Sequence, residues 1–185
     1  MQEKRNIFFT LDGIFFDFTQ TCLFLLEKEC GEEFAPLPNL RKVDWERLQK
    51  KNNSFLRNLP IYLEATKLVS FVQNVDNRFN VRFITFVPPY NIFPSAEEDR
   101  VALLKTPYVN NITPEILSYK DFKNRHKLYK SGDIVIDSDK NIIAKINNKD
   151  VFGIYYQISR DLEDLNNVIR KLGPFIENEV MCGRA

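Results

Sequence analysis

Side chains able to do chemistry gather in four short stretches: Thr10-Leu11-Asp12-Gly13, Thr85, Arg125-His126-Lys127 and Asp137-Ser138-Asp139. Asp12 is a carboxylate that could trade protons with a substrate. Thr85 offers a hydroxyl donor and Lys127 an ammonium, both suited to an anionic oxygen. Asp137 and Asp139 carry oxygens of the kind that hold hard divalent cations. Singly, each signal is weak. An Asp-Gly pair more often marks a turn, a lone Thr is an ordinary strand former, and a lone Lys is ordinarily a solvated charge. The set gains meaning only if the fold brings its members together.

The surrounding pattern provides elements that could do so. Ile7 to Leu11 reads as a short buried strand ended by Asp12-Gly13. A helix follows over Phe16 to Glu29, with Phe18, Cys22, Leu25 and Leu26 on one face and Gly31 as its stop. Asp44 is placed to cap a short helix bearing Trp45 and Leu48. Pro60 suits the first turn of a longer helix carrying Ile61, Ala65, Leu68, Val69, Val72 and Val75. Val81 to Phe86 is a second strand, followed by a loop with Pro88, Pro89 and Pro94. Ser95 with Glu98 forms a capping box for a helix from Ala96 to Lys105. Further strands fall at Ile116 to Tyr119 and Ile134 to Asp137, and Ile142 to Tyr156 reads as strand and turn. Asp161 to Leu172 is an amphipathic closing helix. Strands alternating with helices predict a mostly parallel α/β sheet. In such sheets ligands bind beyond the carboxyl ends of the strands, where Thr10 to Gly13, Thr85 and Asp137 to Asp139 fall.

At 185 residues the chain can build one substantial core with a small insertion. The 16 Phe predict that this core is rich in aromatic rings. A net charge of +1 provides no global field toward a nucleic-acid polymer or an acidic membrane. Cys22, Cys30 and Cys182 form no CxxC pair, and His126 is the single histidine, so a structural zinc site is not expected. Unpatterned, odd-numbered cysteines point to a reducing compartment. The short, charged N-terminal stretch is unlike a signal peptide or a membrane span, which makes cytoplasmic residence the expectation.

The order of these motifs resembles the haloacid dehalogenase superfamily, in its 5'(3')-deoxyribonucleotidase-like branch. FFTLDGIFFDF is similar to the branch's DxDGxxxDF motif, with Asp12, Gly13, Asp17 and Phe18 matching. Thr85 in FITFVPP matches the second-motif hydroxyl. NRHKLYKSGDIVIDSDKN resembles the stretch joining the third-motif Lys to the fourth-motif Asp pair, with Lys127 and Asp137 ten positions apart. SFLRNLPIYLEATKLVSFV and NNKDVFG resemble the segment before the second strand and the family's ending. The resemblance implies a Rossmannoid three-layer sandwich with a mostly parallel sheet. Residues 1–18 and 70–185 would form its core, and residues 19–69 a small helical cap inserted after the first strand. It also implies phosphate ester hydrolysis through an aspartyl-phosphate, with Mg²⁺ as cofactor. Asp12 would be the acid/base, Thr85 and Lys127 would bind phosphate, and Asp137 and Asp139 would be the metal carboxylates. Trp45, Phe55 and Phe93 are candidate aromatics for stacking on a base in a cleft between cap and core.

Two departures weigh against turnover. Thr10 stands where the family has its nucleophilic Asp, so a neutral hydroxyl replaces an anion that also ligates Mg²⁺. The fourth-motif Asp-Asp pair reads Asp137-Ser138, with Asp139 one place displaced, which weakens the metal site further. Taking Asp12 as nucleophile would put Ile14 at the acid/base position, and taking Asp17 would lose the strand-end geometry. The leading expectation is therefore a catalytically impaired nucleotidase homologue that binds a phosphorylated small molecule such as a nucleotide. An active Mg²⁺-dependent phosphatase of deoxyribonucleoside monophosphates and a purely structural or interaction module stand as alternatives. The family permits a homodimer.

Overall fold

The structure is a computed structural model and describes residues 5–30, 40–62, 64–65, 67–68, 70, 79–105, 113–147, 150–157 and 166–173. Its centre is a five-stranded sheet in the order β3-β2-β1-β4-β5, with every neighbouring pair parallel. The strands are β1 (Arg5–Thr10), β2 (Phe79–Phe86), β3 (Glu115–Leu117), β4 (Ile134–Asp137) and β5 (Phe152–Tyr155). The helices between them are α1 (Phe18–Cys30), α2 (Lys42–Lys51), α3 (Ala96–Leu103), α4 (Tyr119–Lys123) and α5 (Lys140–Ile146). Residues 166–173 are also helical and bury Val168 and Leu172.

The chain steps from β1 to β2 to β3 in one direction, then returns past β1 to lay down β4 and β5. Parallel crossovers are right-handed, so the two halves carry their helices on opposite faces and the sheet becomes the middle of three layers. The reversal falls at β1, whose neighbours are β2 and β4. Both central strands are apolar on both faces, as a sheet covered on each side requires. Ile7 to Thr10 and all of β4 are buried.

Register decides which side chains reach the carboxyl edge. Phe9 lies opposite Phe83 and Ile136, and Thr10 opposite Ile84. Thr85 and Asp137 therefore stand one step further along their strands, beside the loop that leaves β1. That loop folds tightly, with the Phe15 and Phe16 amides donating to the Leu11 carbonyl and the Gly13 amide to that of Phe16. Gly13 has φ +86°, and a Cβ there would lie 2.2 Å from the Ser138 hydroxyl. Only glycine suits both the backbone angle and the close approach.

The phenylalanine-rich composition becomes one connected aromatic core. Phe9, Phe15 and Phe83 pack mutually beneath the loop. Phe18 of α1 touches Trp45 of α2, Phe55 and Phe86, and so ties the segment after β1 to the sheet's edge.

Three sequence expectations need correction. Residues 140–146 form helix α5, not strand. The Asp139 side chain caps its start by accepting from the Asn141 amide, and Ile142, Ile143 and Ile146 bury one helical face. A β-branched run had suggested strand, but burial of one helical stripe outweighs a propensity difference of under about 1 kcal/mol per residue. Asp44 is not the cap of α2 but its third residue, where it accepts from the Arg41 amide at 2.9 Å. Ser95 pairs with Asp99, not Glu98, its hydroxyl donating at 3.0 Å. The Pro60 helix and the closing helix are described only in part, with helical residues among 64–70 and over 166–173. Gly31, Val69, Val72, Val75 and Cys182 lie outside the described residues.

Candidate functional site

Thr10, Asp12, Thr85 and Asp137 meet at the carboxyl edge of β1, β2 and β4, where the sheet reverses. All four are buried, between 0 and 8% exposed. Thr10 ends β1, Asp137 ends β4, and Thr85 is the last residue but one of β2. What surrounds them does not follow from the motifs.

Asp12 is engaged at both carboxylate oxygens. Thr85 donates its hydroxyl to Oδ2 at 2.8 Å, and the Arg100 guanidinium sits 2.9 Å from Oδ1. Arg100 comes from α3 and is wholly buried. Its Nε donates to the Phe86 carbonyl at 3.2 Å, and its charge lies over the rings of Phe18, at 4.8 Å, and Phe86, at 5.4 Å. A buried cation is tolerated when a carboxylate and aromatic faces replace its water. Arg100 was missed in the sequence, although a signal existed. With Ala96 and Leu103 it repeats at helical spacing on the buried face of α3.

Asp137 is tied more closely still. Arg125 donates from Nε at 2.7 Å and from Nη2 at 2.8 Å, a two-pronged pair, and the Asp139 amide donates to Oδ1 at 2.8 Å. Arg125 is 4% exposed. Burial would lower its pKa, but the hydrogen bonds and charge of Asp137 raise it above the ordinary arginine value. The same charge, added to burial, pushes the Tyr129 phenol well above its usual range.

Lys127, singled out by its ten-residue distance from Asp137, stands outside this pair: it is exposed on the 3₁₀ turn of Arg125–Lys127, whereas Arg125 is buried. One short turn exposes one of its cations and buries another. Arg125 also packs against Phe122, whose ring lies 4.0 Å from its guanidinium.

The remaining candidates fall as follows. Thr10 Oγ1 is buried and has no hydrogen-bond partner among the described residues. Asp17 accepts from the Gln20 amide at the start of α1 and from the Tyr62 hydroxyl, which makes it a helix cap. Asp139 caps α5 and stands 3.8 Å from Arg125. Trp45, Phe55 and Phe93 are 0, 2 and 5% exposed and pack into the aromatic core. No face of theirs is open for a base to stack upon. Cys22 is buried too, and burial raises its thiol pKa far above the usual value.

The residues at the strand tips do not fit Mg²⁺. A divalent site needs about six oxygens, several of them charged and free to turn toward the ion. Thr10 is neutral, Asp12 is paired with Arg100, and Asp137 spends both oxygens on Arg125. The Asp12 carbonyl accepts from the Ser138 hydroxyl at 2.9 Å. Among the described residues no three His, Cys, Asp or Glu side chains gather as a metal would require. Two guanidinium groups supply positive charge where a cation would otherwise balance the carboxylates.

No family profile and no curated protein sequence matches the chain. Solved structures do. A hydrolase from Streptococcus pneumoniae TIGR4 aligns at a TM-score of 0.53 and 11% identity, covering 91% of this chain and 100% of its own. The HAD domain of the effector protein Lem4 from Legionella pneumophila aligns at 0.48 and 9%, over 100% of both chains. The HAD-hydrolase YfnB from Bacillus subtilis, described as bound to magnesium, aligns at 0.48 and 12%, over 91% of this chain and 100% of its own. Among the described residues no helix is long and apolar enough to cross a membrane. What the likeness supports is architecture alone: an α/β chain built on an all-parallel five-stranded sheet.

Proposed function

We propose that this protein is a non-hydrolysing homologue of the haloacid dehalogenase phosphatases that binds a phosphorylated small molecule, such as a nucleotide. The fold and the order of the motif positions support descent from such a phosphatase. The observation that carries the loss of hydrolysis is the pairing of both strand-tip carboxylates with buried arginines, Asp12 with Arg100 and Asp137 with Arg125.

The chemistry follows from that pairing. An aspartyl-phosphate route needs a carboxylate nucleophile, and Thr10 offers a hydroxyl whose proton must first be removed. Asp12, the nearest base, has one oxygen against Arg100 and the other accepting from Thr85. Thr85 directs its donor at Asp12, and so it is not free to hold a phosphoryl oxygen. Three roles are thus withdrawn together. Losing one member of a coupled catalytic set commonly costs several orders of magnitude in rate. The 5'-nucleotidase likeness bears on the class of ligand, since that branch handles nucleoside monophosphates.

The test is direct. Incubation with dUMP or p-nitrophenyl phosphate and Mg²⁺ is expected to release no phosphate above a buffer blank. Release at roughly 1 per second or faster, the ordinary range for enzymes, and abolished by Asp12→Asn, would overturn the proposal.

A further inference from the structure

Helix α3 is gripped through two consecutive charged residues, Asp99 and Arg100, both buried. Successive side chains on an α-helix point about 100° apart, so the pair must reach different neighbours. Asp99 takes Arg57 from the segment after α2, whose Nε donates to its Oδ1 at 2.9 Å. The Ser95 hydroxyl donates to the other oxygen at 3.0 Å. Arg100 turns instead to the strand tips, where it meets Asp12 and the Phe86 carbonyl.

The two grips are unequally made. The Arg57 side chain is 55% exposed, yet its partner carboxylate is only 3% exposed. Beside it Phe55 meets Phe93 at 5.2 Å, just ahead of α3, so the same short segment touches the helix at two points. On the strand-tip side the Arg100 guanidinium lies 2.9 Å from Asp12 as an ion pair, but neither Nη1 nor Nη2 has a hydrogen-bond partner among the described residues. Its Nε bond to Phe86 is the aligned one. A guanidinium held in this way depends on the rotation of the helix that carries it.

We infer that Arg57 is a positioning residue for the strand-tip pair: through Asp99 it fixes the rotation of α3 and so keeps Arg100 against Asp12. A turn of α3 that frees Asp99 carries Arg100 off Asp12. Because Arg57 stands largely in solvent, its hold weakens as salt rises. The buried pair is thereby coupled to the electrostatics of the surface. This coupling requires no ligand and is independent of whether phosphate esters are hydrolysed.

The experiment follows solvent exchange of the Arg100 Nε–H in ¹⁵N-labelled full-length protein, with the backbone amides of β4 as the reference for global opening. In Arg57→Ala the Arg100 signal is expected to exchange at least about tenfold faster, while the β4 amides change by less than about twofold. Arg57→Lys should recover part of the protection, because it restores the charge but not the planar donor. Raising salt from about 0.05 to 0.5 M should speed Arg100 exchange in the parent and not in Arg57→Ala. Lys145→Ala, an exposed control on α5, should leave both signals as they are in the parent. Unchanged Arg100 exchange in Arg57→Ala would overturn the inference. Equal acceleration of Arg100 and the β4 amides would overturn it too, since it would mean general loss of stability. Arg100 exchange that salt leaves unchanged in the parent would do the same, even if Arg57→Ala fails to fold.

Discussion

The carboxyl edge of the sheet has two unlike regions. At β1 and β4 the carboxylates of Asp12 and Asp137 are buried and answered from within the chain. Arg100 meets Asp12 and Arg125 meets Asp137, with side-chain exposures from 0 to 8%. At β2 and β3, some residues away, Lys120 is exposed on the wall of a cavity of about 500 Å³. The first region has consumed its polar groups in holding itself together, and the second leaves the Lys120 amine in solvent. A buried ion pair seldom adds net stability, but removing one partner strands the other at high cost. An exposed lysine contributes little to folding and can be spent on a ligand.

That contrast is most easily broken at Arg100. Arg100→Ala leaves Asp12 buried without its cation, and it also removes the guanidinium between Phe18 and Phe86. The expected loss is about 3–5 kcal/mol, read from urea unfolding. Lys120→Ala, at an exposed position, should unfold within about 0.5 kcal/mol of the parent. Comparable losses in both proteins would erase the distinction between the regions.

Gly13→Ala should be the next largest. It forces a side chain into the left-handed region and against Ser138, for about 2 kcal/mol or more. A loss below about 0.5 kcal/mol would mean that the loop over Asp12 is looser than its hydrogen bonds indicate.

The smallest effect sharpens the contrast with a buried carboxylate whose cations reach solvent. Burial acts to raise the Asp44 pKa, but the hydrogen bond from Arg41 and the charges of Arg41 and Arg47 hold it below the ordinary 3.8. Its stabilisation is therefore full above about pH 4 and is lost as pH falls through the depressed value. Because both arginines are largely solvated, it should amount to less than about 1 kcal/mol. Melting temperatures of the parent and Asp44→Asn should differ slightly at pH 7 and converge toward pH 3. A gap that widens in acid would contradict the assignment.

How much of this was legible beforehand differs by element. β1, β2 and β4 announce themselves, because a strand buried on both faces must be a short apolar run between turn residues. Helix α5 does not, since three isoleucines satisfy either period until the Asp139 cap selects one. At the site, Thr10, Asp12, Thr85 and Asp137 could be named from their positions at strand ends. Arg125 lay in a basic stretch already singled out, but spacing favoured its neighbour Lys127. Trp45, Phe55 and Phe93 read as pocket candidates with plain packing the stronger alternative, and burial decided for core.

The sequence alone determined the alternation of strands and helices, the aromatic richness of the core and a hydroxyl at position 10. Each of these is local or compositional, fixed by residue type and short-range period. Only the tertiary structure decided that Arg100, far along the chain from Asp12, would neutralise it, and that Arg125 and not Lys127 would turn inward. Which cation meets which carboxylate depends on parallel register and helix rotation. Those are set by the packing of the whole sheet, and no local spacing encodes them.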